Sequence, residues 1–197
     1  MFWKLRIFLA SLAFVSAFSA AHAQDRLVTW ALQARLTQDK LYDGEMDGLS
    51  GPATRAAIEI YANNNGIQPS RSAVVEHIMY RSLTSDRRSP TEQELLAARD
   101  AARYIMRDAE AAQFRDEWAF DAPGGVLICG QVNGKNVYGA YVGFRAYSLT
   151  LSVLSIPGNS DPTLIPLGEP NMDNAGVFCS LGTSIGLAII SRSNSHN

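Results

Sequence analysis

Histidine and cysteine are scarce in this sequence, and both shortages limit the chemistry open to it. The 197 residues include only three histidines, His22, His77 and His196, and two cysteines, Cys129 and Cys179. A structural zinc site needs about four closely spaced ligands, and a cysteine nucleophile needs a base near it in the fold. Neither pattern is present, so the sequence predicts no metal site and no cofactor. A lone helical histidine such as His77 is expected to be a surface or packing residue.

An excess of charge of one sign is lacking as well. The chain carries 17 Lys and Arg against 19 Asp and Glu, a formal net charge of −2. A broad nucleic-acid-binding surface would show as a strongly basic balance or a basic stripe. We therefore expect no nucleic-acid partner.

Long apolar runs are also missing, apart from one at the N-terminus. Residues 7–20 are apolar or small, Lys4 and Arg6 precede them, and Ala21-His22-Ala23 follows. This order matches a signal peptide with its cleavage site, and the run is shorter than the roughly 20 residues that span a bilayer. We predict a signal peptide over 1–23 and a mature chain that begins at Gln24, periplasmic or secreted and without a membrane span. An uncleaved N-terminal anchor is the alternative.

The two cysteines are expected to pair if the chain is exported. Cys129 and Cys179 both lie in the later half of the sequence, inside apolar runs that resemble strands. An even number of cysteines in an oxidising compartment more often forms disulfides than stays free. We predict a Cys129–Cys179 disulfide. The alternatives are two buried free thiols or a reactive Cys129.

The first half of the predicted mature chain, residues 24–83, reads as three helices. Apolar residues recur at three- and four-residue steps from Leu27 onward, which is typical of amphipathic helices. The turn dipeptides Asp43-Gly44, Asp47-Gly48 and Gly51-Pro52 predict a loop over 42–52. A second helix then runs to the Asn-rich segment before Gly66, and a third covers 72–81. A small helical bundle is therefore expected.

The loop and the helices around it share one motif, which consists of Leu32-Gln33, Leu36, Leu41-Tyr42, Gly44, Asp47-Gly48, Gly51, Thr54, Ala57, Tyr61 and Gly66-Ile67. Through these residues the segment resembles the peptidoglycan-binding-like domain family, a three-helix module of bacterial wall proteins. The resemblance lies in about 40 residues, and two departures are Ala62, where the family has Gln, and Asp39-Lys40, which replaces a Gly.

The resemblance implies a shallow groove beside the loop that binds wall peptide or sugar. Tyr42 would offer a ring face there, and Asp47 and Arg55 would offer hydrogen bonds. The predicted ligand-binding residues are Tyr42, Asp47, Gly48, Gly51, Thr54 and Arg55. The alternative is that the whole motif is a folding signature without a ligand, because such glycines also serve simply to build a tight turn.

The second half is predicted to be an α+β domain over 91–197, joined to the bundle by a polar linker over 84–90. Thr91 and Glu94 form a capping-box pair for a helix that should run to about Ala112. Strand patterns follow over 126–132 and 137–151, connected by the hairpin dipeptide Asn133-Gly134, and again over 176–180 and 185–191. A helix followed by about four strands predicts an antiparallel sheet.

This half carries a second motif, which consists of Asp108-Ala109, Ala112, Phe114, Cys129-Gly130, Val132-Asn133, Lys135-Asn136, Gly139, Tyr141 and Gly143-Phe144. Through these residues it is similar to a small domain of unknown function found in exported and phage-linked proteobacterial proteins. Asn133, Lys135 and Asn136 are expected at an exposed hairpin tip, where they could bind a ligand. The alternative is that they serve only turn formation and solubility.

Catalysis is poorly supported, even though modules like the first one often accompany wall enzymes. No histidine accompanies either cysteine, and a nucleophilic serine would likewise lack a base. Asp161, Glu169 and Asp173 share one loop, but acid hydrolysis of a glycan needs a long substrate cleft, which about 100 residues rarely build. We predict a non-enzyme, with an unrecognised wall hydrolase as the alternative.

Two functions remain. The first is an exported protein that binds peptidoglycan without catalysis through its N-terminal bundle, with a possible protein partner for the second domain. The other is a periplasmic or secreted protein-interaction or inhibitor module in which the bundle is only a scaffold.

Overall fold

A computed structural model describes residues 23–122, 124–154, 163–184 and 186–187. The helical region contains α1 over residues 23–38, α2 over Pro52–Asn65 and α3 over Arg71–Thr84. The sheet region follows with β1 (Arg87–Arg88), α4 (Glu92–Tyr104), β2 (Gln113–Ala122), β3 (Gly125–Asn133), β4 (Arg145–Leu154), β5 (Thr163–Pro166) and α5 (Ala175–Leu181). Apart from Ala23, the predicted signal peptide lies outside the described residues.

Local sequence signals account for where the helices begin. Pro52 occupies the first turn of α2, where its missing N–H costs nothing. The side chain of Ser70 caps α3 by accepting a hydrogen bond from Ala73 N. The capping box between Thr91 and Glu94 forms as predicted at the start of α4.

The strands form one five-stranded antiparallel sheet among the described residues, in the order β1-β2-β3-β4-β5. Three helices followed by this sheet confirm the predicted α+β class. The β2–β3 register is interrupted between Arg115 and Trp118, where Asp116 has a φ of 52°. This β-bulge breaks the alternation of side chains along β2.

Hydrophobic cores lie on both sides of the predicted linker, and one of them crosses it. The core of the bundle contains Leu32, Leu36, Ile58, Tyr61, Val74 and Ile78, and also Phe178 and Leu181 from α5. Trp30 meets Phe178 edge to face at a centroid distance of 5.8 Å. The distant C-terminal helix therefore completes the core of the N-terminal bundle.

A second core fills the space between α4 and one face of the sheet. It buries Ala98, Ile128, Leu149 and Leu151. The side chains of Phe120, Leu127, Cys129 and Leu187 form a third cluster. Alternate residues of β3 thus serve different cores, as expected for a strand that is covered on both faces.

The predicted disulfide is confirmed. Cys129 and Cys179 are joined with a Cα–Cα distance of 5.9 Å. Cys129 belongs to the central strand β3 and Cys179 to α5. The bond therefore ties the sheet to the helix that fills the bundle core.

Several predicted elements differ in the structure. The run 176–180 is helical, because Ala175, Phe178 and Leu181 turn one face into the core and Gly182 ends the helix at a φ of 58°. Residues 186–187 are helical, and the rest of the predicted strand over 185–191 lies outside the described residues. The helix predicted to reach Ala112 ends at Tyr104, and β2 was not predicted at all.

The predicted strand over 137–151 begins only at Arg145. Before it, residues 134–144 form a long loop instead of a two-residue hairpin turn. The side chain of Asn136 accepts hydrogen bonds from Tyr138 N and Ala140 N, so it satisfies backbone groups that a strand would pair with a neighbour. Gly143 has a φ of 94°, which a β-branched or aromatic residue at that position would rarely adopt.

Part of the predicted linker over 84–90 is built into the fold. Thr84 ends α3, and Arg87 and Arg88 form β1, which pairs with β2. Arg88 donates to Glu94 at 2.7 Å and to Asp121 at 2.6 Å. The division of the chain into two domains stays a prediction, but the structure connects the two parts through β1 and through α5.

Candidate functional site

The loop between α1 and α2 is organised around one buried side chain, Gln33. It is fully buried. Its amide nitrogen lies 3.0–3.2 Å from four acceptor oxygens, those of Tyr42 Oη, Asp47 Oδ1, Leu49 O and Thr54 Oγ1. Its carbonyl oxygen accepts a hydrogen bond from Gly48 N at 2.9 Å. One side chain of α1 therefore fixes the whole course of the loop.

Asp47 is held as a carboxylate at this loop. Its Oδ1 accepts from Gln33 and from Leu49 N at 2.8 Å. These hydrogen bonds, the one from Gln33 first, lower the pKa of Asp47 below its ordinary value. Arg26 donates to the backbone carbonyl of Asp47 at 3.0 Å. The carboxylate is half-buried and therefore presents a fixed negative charge near the surface.

Tyr42 closes the loop from inside. It is only 7% exposed, and its hydroxyl donates to Glu45 O at 2.5 Å. Gly44 packs so close that a Cβ there would lie 2.7 Å from the Tyr42 hydroxyl. The Tyr42 ring therefore belongs to the bundle core, and little of its face is available for a ligand to stack on.

Gly48 is required by its backbone conformation and by its contacts. Its φ is 72°, and a Cβ there would lie 2.7 Å from Arg26 O. Both features exclude larger residues without strain. The glycine of the Asp-Gly dipeptide thus brings the loop close to α1, where Gln33 can reach it.

The six predicted ligand-binding residues divide by exposure. Tyr42, Gly48 and Thr54 are buried and serve the loop itself, and Thr54 donates to Leu49 O at 3.0 Å. Asp47 and Gly51 are half-buried, and Arg55 is exposed with one nitrogen on Ser50 O at 2.6 Å. Their binding role stays a prediction, and the surface that the structure offers for it is Asp47, Arg55 and the half-exposed Leu49.

Sequence reasoning included Gln33 in the motif without giving it a role. Its neighbours Leu32 and Leu36 are fully buried in the bundle core, as is Gln33 itself. Burying an amide on an apolar helix face is costly unless its hydrogen bonds are satisfied. The position of Gln33 beside those leucines could therefore have indicated a buried hydrogen-bonding role.

The predicted hairpin-tip residues are also used inside the fold. Asn133 is 7% exposed, and its Oδ1 accepts from Gly143 N at 3.0 Å. Lys135 pairs with Asp108 at 3.2 Å. Asn136 is exposed as predicted, and the most exposed apolar groups of this loop are Val137, at 63%, and Tyr138, at 90%.

The remaining candidate groups are His77 and the three acidic residues Asp161, Glu169 and Asp173. His77 is half-buried in α3, where its Nδ1 meets the Tyr61 hydroxyl at 3.1 Å. Asp161 lies outside the described residues, and Asp173 pairs with Arg145 at 3.7 Å. Glu169 is exposed on its loop.

The described residues contain neither a candidate metal cluster nor a candidate membrane span. They contain no group of three or more His, Cys, Asp or Glu placed to hold a metal ion. Within the same residues, no helix combines the length and apolar character that a membrane crossing requires. Comparison of the chain with protein-family models, with curated proteins and with solved structures gives no match.

Proposed function

We propose that the protein is exported and binds peptidoglycan without catalysing a reaction on it. The observation that carries the proposal is the loop that Gln33 braces, which presents the carboxylate of Asp47 and the guanidinium of Arg55 at the surface. An anion on the loop and a cation in the first turns of α2 suit a ligand that has both hydroxyl or amide donors and carboxylates. Peptidoglycan offers all of these groups.

The proposed location is periplasmic or secreted. The predicted signal peptide supports export. The Cys129–Cys179 disulfide agrees with this location, because such bonds persist mainly in oxidising compartments.

The test is retention of the mature chain, residues 24–197, on purified insoluble sacculi. The account expects saturable retention. Arg55→Gln should weaken it about tenfold, since losing one hydrogen bond from a charged group costs about 1.5–3 kcal/mol. Asp47→Asn, which keeps the shape and removes the charge, should also weaken it.

Arg87→Gln is the matched control, because Arg87 is also exposed but lies on β1. Absence of saturable retention of the parent would contradict the proposed function. Parental affinity in both Arg55→Gln and Asp47→Asn would place the binding surface elsewhere on the molecule.

A protein-interaction or inhibitor module is the second candidate. The exposed Val137 and Tyr138 on a hydrogen-bonded loop favour it, because rigid aromatic residues are frequent anchors in protein interfaces. Under this function the parent is not retained on sacculi, and a photo-crosslinker at position 138 gives one discrete adduct in the exporting cell.

A further inference from the structure

A small cavity lies between the segment after α4 and the long β3–β4 loop. Its volume is about 170 Å³. Met106, Val142 and Met172 provide apolar walls. Three cations, Arg107, Lys135 and Arg145, and one acid, Asp108, give the lining a net positive charge. None of the residues assigned to peptidoglycan binding above belongs to it.

The walls of this cavity are held in place by hydrogen bonds. Val142 N donates to Gly134 O at 3.2 Å, and the Tyr141 hydroxyl donates to Ala111 O at 3.1 Å. Asn133 and Asn136 fix the rest of the loop through their side-chain oxygens. A site that is formed before its ligand arrives loses less entropy on binding.

The three cations differ in how firmly they are engaged. Lys135 pairs with Asp108 at 3.2 Å and lies over the Tyr141 ring. Arg145 reaches Asp173 only at 3.7 Å, and both side chains of this pair are largely exposed. An exposed pair of this kind contributes little, so a ligand anion can replace Asp173.

Arg107 is the third cation. It is exposed and forms no ion pair with any residue in the described part of the chain. Arg107 and Arg145 are therefore the two guanidinium groups that can receive a ligand carboxylate, and Arg is well suited to bind one through two parallel hydrogen bonds.

We infer that this cavity binds a peptide carboxylate together with the small apolar side chain next to it. The methionine and valine side chains contact the apolar group, and Arg107 and Arg145 bind the carboxylate. Two sources supply this chemistry, the alanine-containing stem peptides of peptidoglycan and the C-terminus of a protein. We assign the stem peptide, and this assignment rests on the proposed wall-binding function.

The experiment uses the disulfide-bonded mature chain and two soluble probes. One is a stem tetrapeptide released from purified sacculi, and the other is the linear peptide Gly-Glu-Glu-Ala with a free C-terminus. Each is titrated against the labelled protein while the amide signals of Gly134, Val142 and Gly143 are followed by NMR. Arg107→Gln combined with Arg145→Gln is the test variant, and Arg87→Gln is the control.

The inference expects saturable shifts at these three amides with the stem peptide, a tenfold or greater weakening in the double variant, and parental behaviour in Arg87→Gln. Shifts with neither peptide at millimolar concentration would overturn it, as would equal affinity in the double variant. Binding of Gly-Glu-Glu-Ala alone would overturn the assignment to stem peptide. The result of the sacculus test is independent of this one, because retention through Asp47 and Arg55 does not need this cavity.

Discussion

Both regions bury a charged side chain, Arg35 in the helical region and Glu117 in the sheet region, but the helical region also organises a loop around a buried neutral amide. The bundle buries a neutral amide, Gln33, which satisfies several loop atoms at once. The polar network of the sheet region is centred on a carboxylate, with Glu117 accepting from the Tyr147 hydroxyl at 2.6 Å and from Arg99 at 3.0 Å. A neutral hub keeps its hydrogen bonds at any ordinary pH, whereas an ion pair depends on protonation.

Burial also changes the pKa of Tyr147 in the sheet network. Tyr147 is fully buried, and this burial, helped by the neighbouring Glu117, raises the pKa of its hydroxyl far above the ordinary value. Tyr147 therefore remains a hydrogen-bond donor to Glu117. A Cβ at Gly130 would lie 2.7 Å from Glu117 Cγ, so the opposite strand leaves just enough room for the carboxylate.

Helix α5 contacts both regions, and the disulfide ties it to the sheet. Removing this disulfide is expected to cause the largest loss of stability. Replacing both Cys129 and Cys179 by Ser releases a 51-residue loop (residues 129–179) in the unfolded chain. On the loop-entropy model this lowers the free energy of unfolding by about 4 kcal/mol. Urea denaturation of the parent and the double variant measures the loss, and an unchanged midpoint would show that the bond adds no stability.

Gln33→Ala should have the next largest effect, about 3 kcal/mol, because it leaves the buried Gly48 N without its acceptor, removes the donor to the loop oxygens and opens a cavity beside the bundle core. Gln38→Ala on the same helix is the control, since Gln38 Oε1 is buried without a hydrogen-bond partner in the described part of the chain. Urea denaturation should separate the two variants clearly. Equal destabilisation would mean that the Gln33 network does not organise the loop.

Acid should produce a smaller, graded loss of stability. Hydrogen bonds from Arg88 are the main cause of the lowered pKa values of Glu94 and Asp121. Burial alone would raise the pKa of Asp86, but Arg35 and Arg81 together lower it. A carboxyl with a lowered folded pKa stabilises the protein above its unfolded pKa of about 4, and this contribution disappears as pH falls through the folded value.

The expected result is a free energy of unfolding that is level near neutral pH and decreases below about pH 4. Chemical denaturation at a series of pH values measures it. Glu94→Gln should reduce the steepness of the decrease. A stability that rises on acidification would contradict the assigned ion pairs.

The sequence was sufficient to predict the elements that have strong local signals. Thr91 and Glu94 marked the start of α4, and the turn dipeptides before Pro52 marked the loop after α1. The disulfide followed from cysteine number and the predicted export. These features depend on residues close together in the chain or on chemistry that is independent of the fold.

The elements that sequence reasoning missed depend on distant contacts. Val177, Phe178 and Cys179 favour a strand locally, but Phe178 and Leu181 must share one face to fill the bundle core, and this selects a helix. Strand β2 was hidden because the bulge at Asp116 interrupts its alternation. For the candidate site, the pattern indicated the loop but not which of its residues point inward.

The central claim is that α5 joins the two regions into one cooperative unit, and native-state hydrogen exchange of Phe178→Ala tests it most directly. Phe178 is 4% exposed and packs in the bundle core, so truncation should cost about 3–5 kcal/mol. The account predicts that the slowest-exchanging amides of α1, α3 and β3 all lose protection by the same amount. A loss confined to α1 and α3 with parental protection in β3, or the reverse, would contradict it.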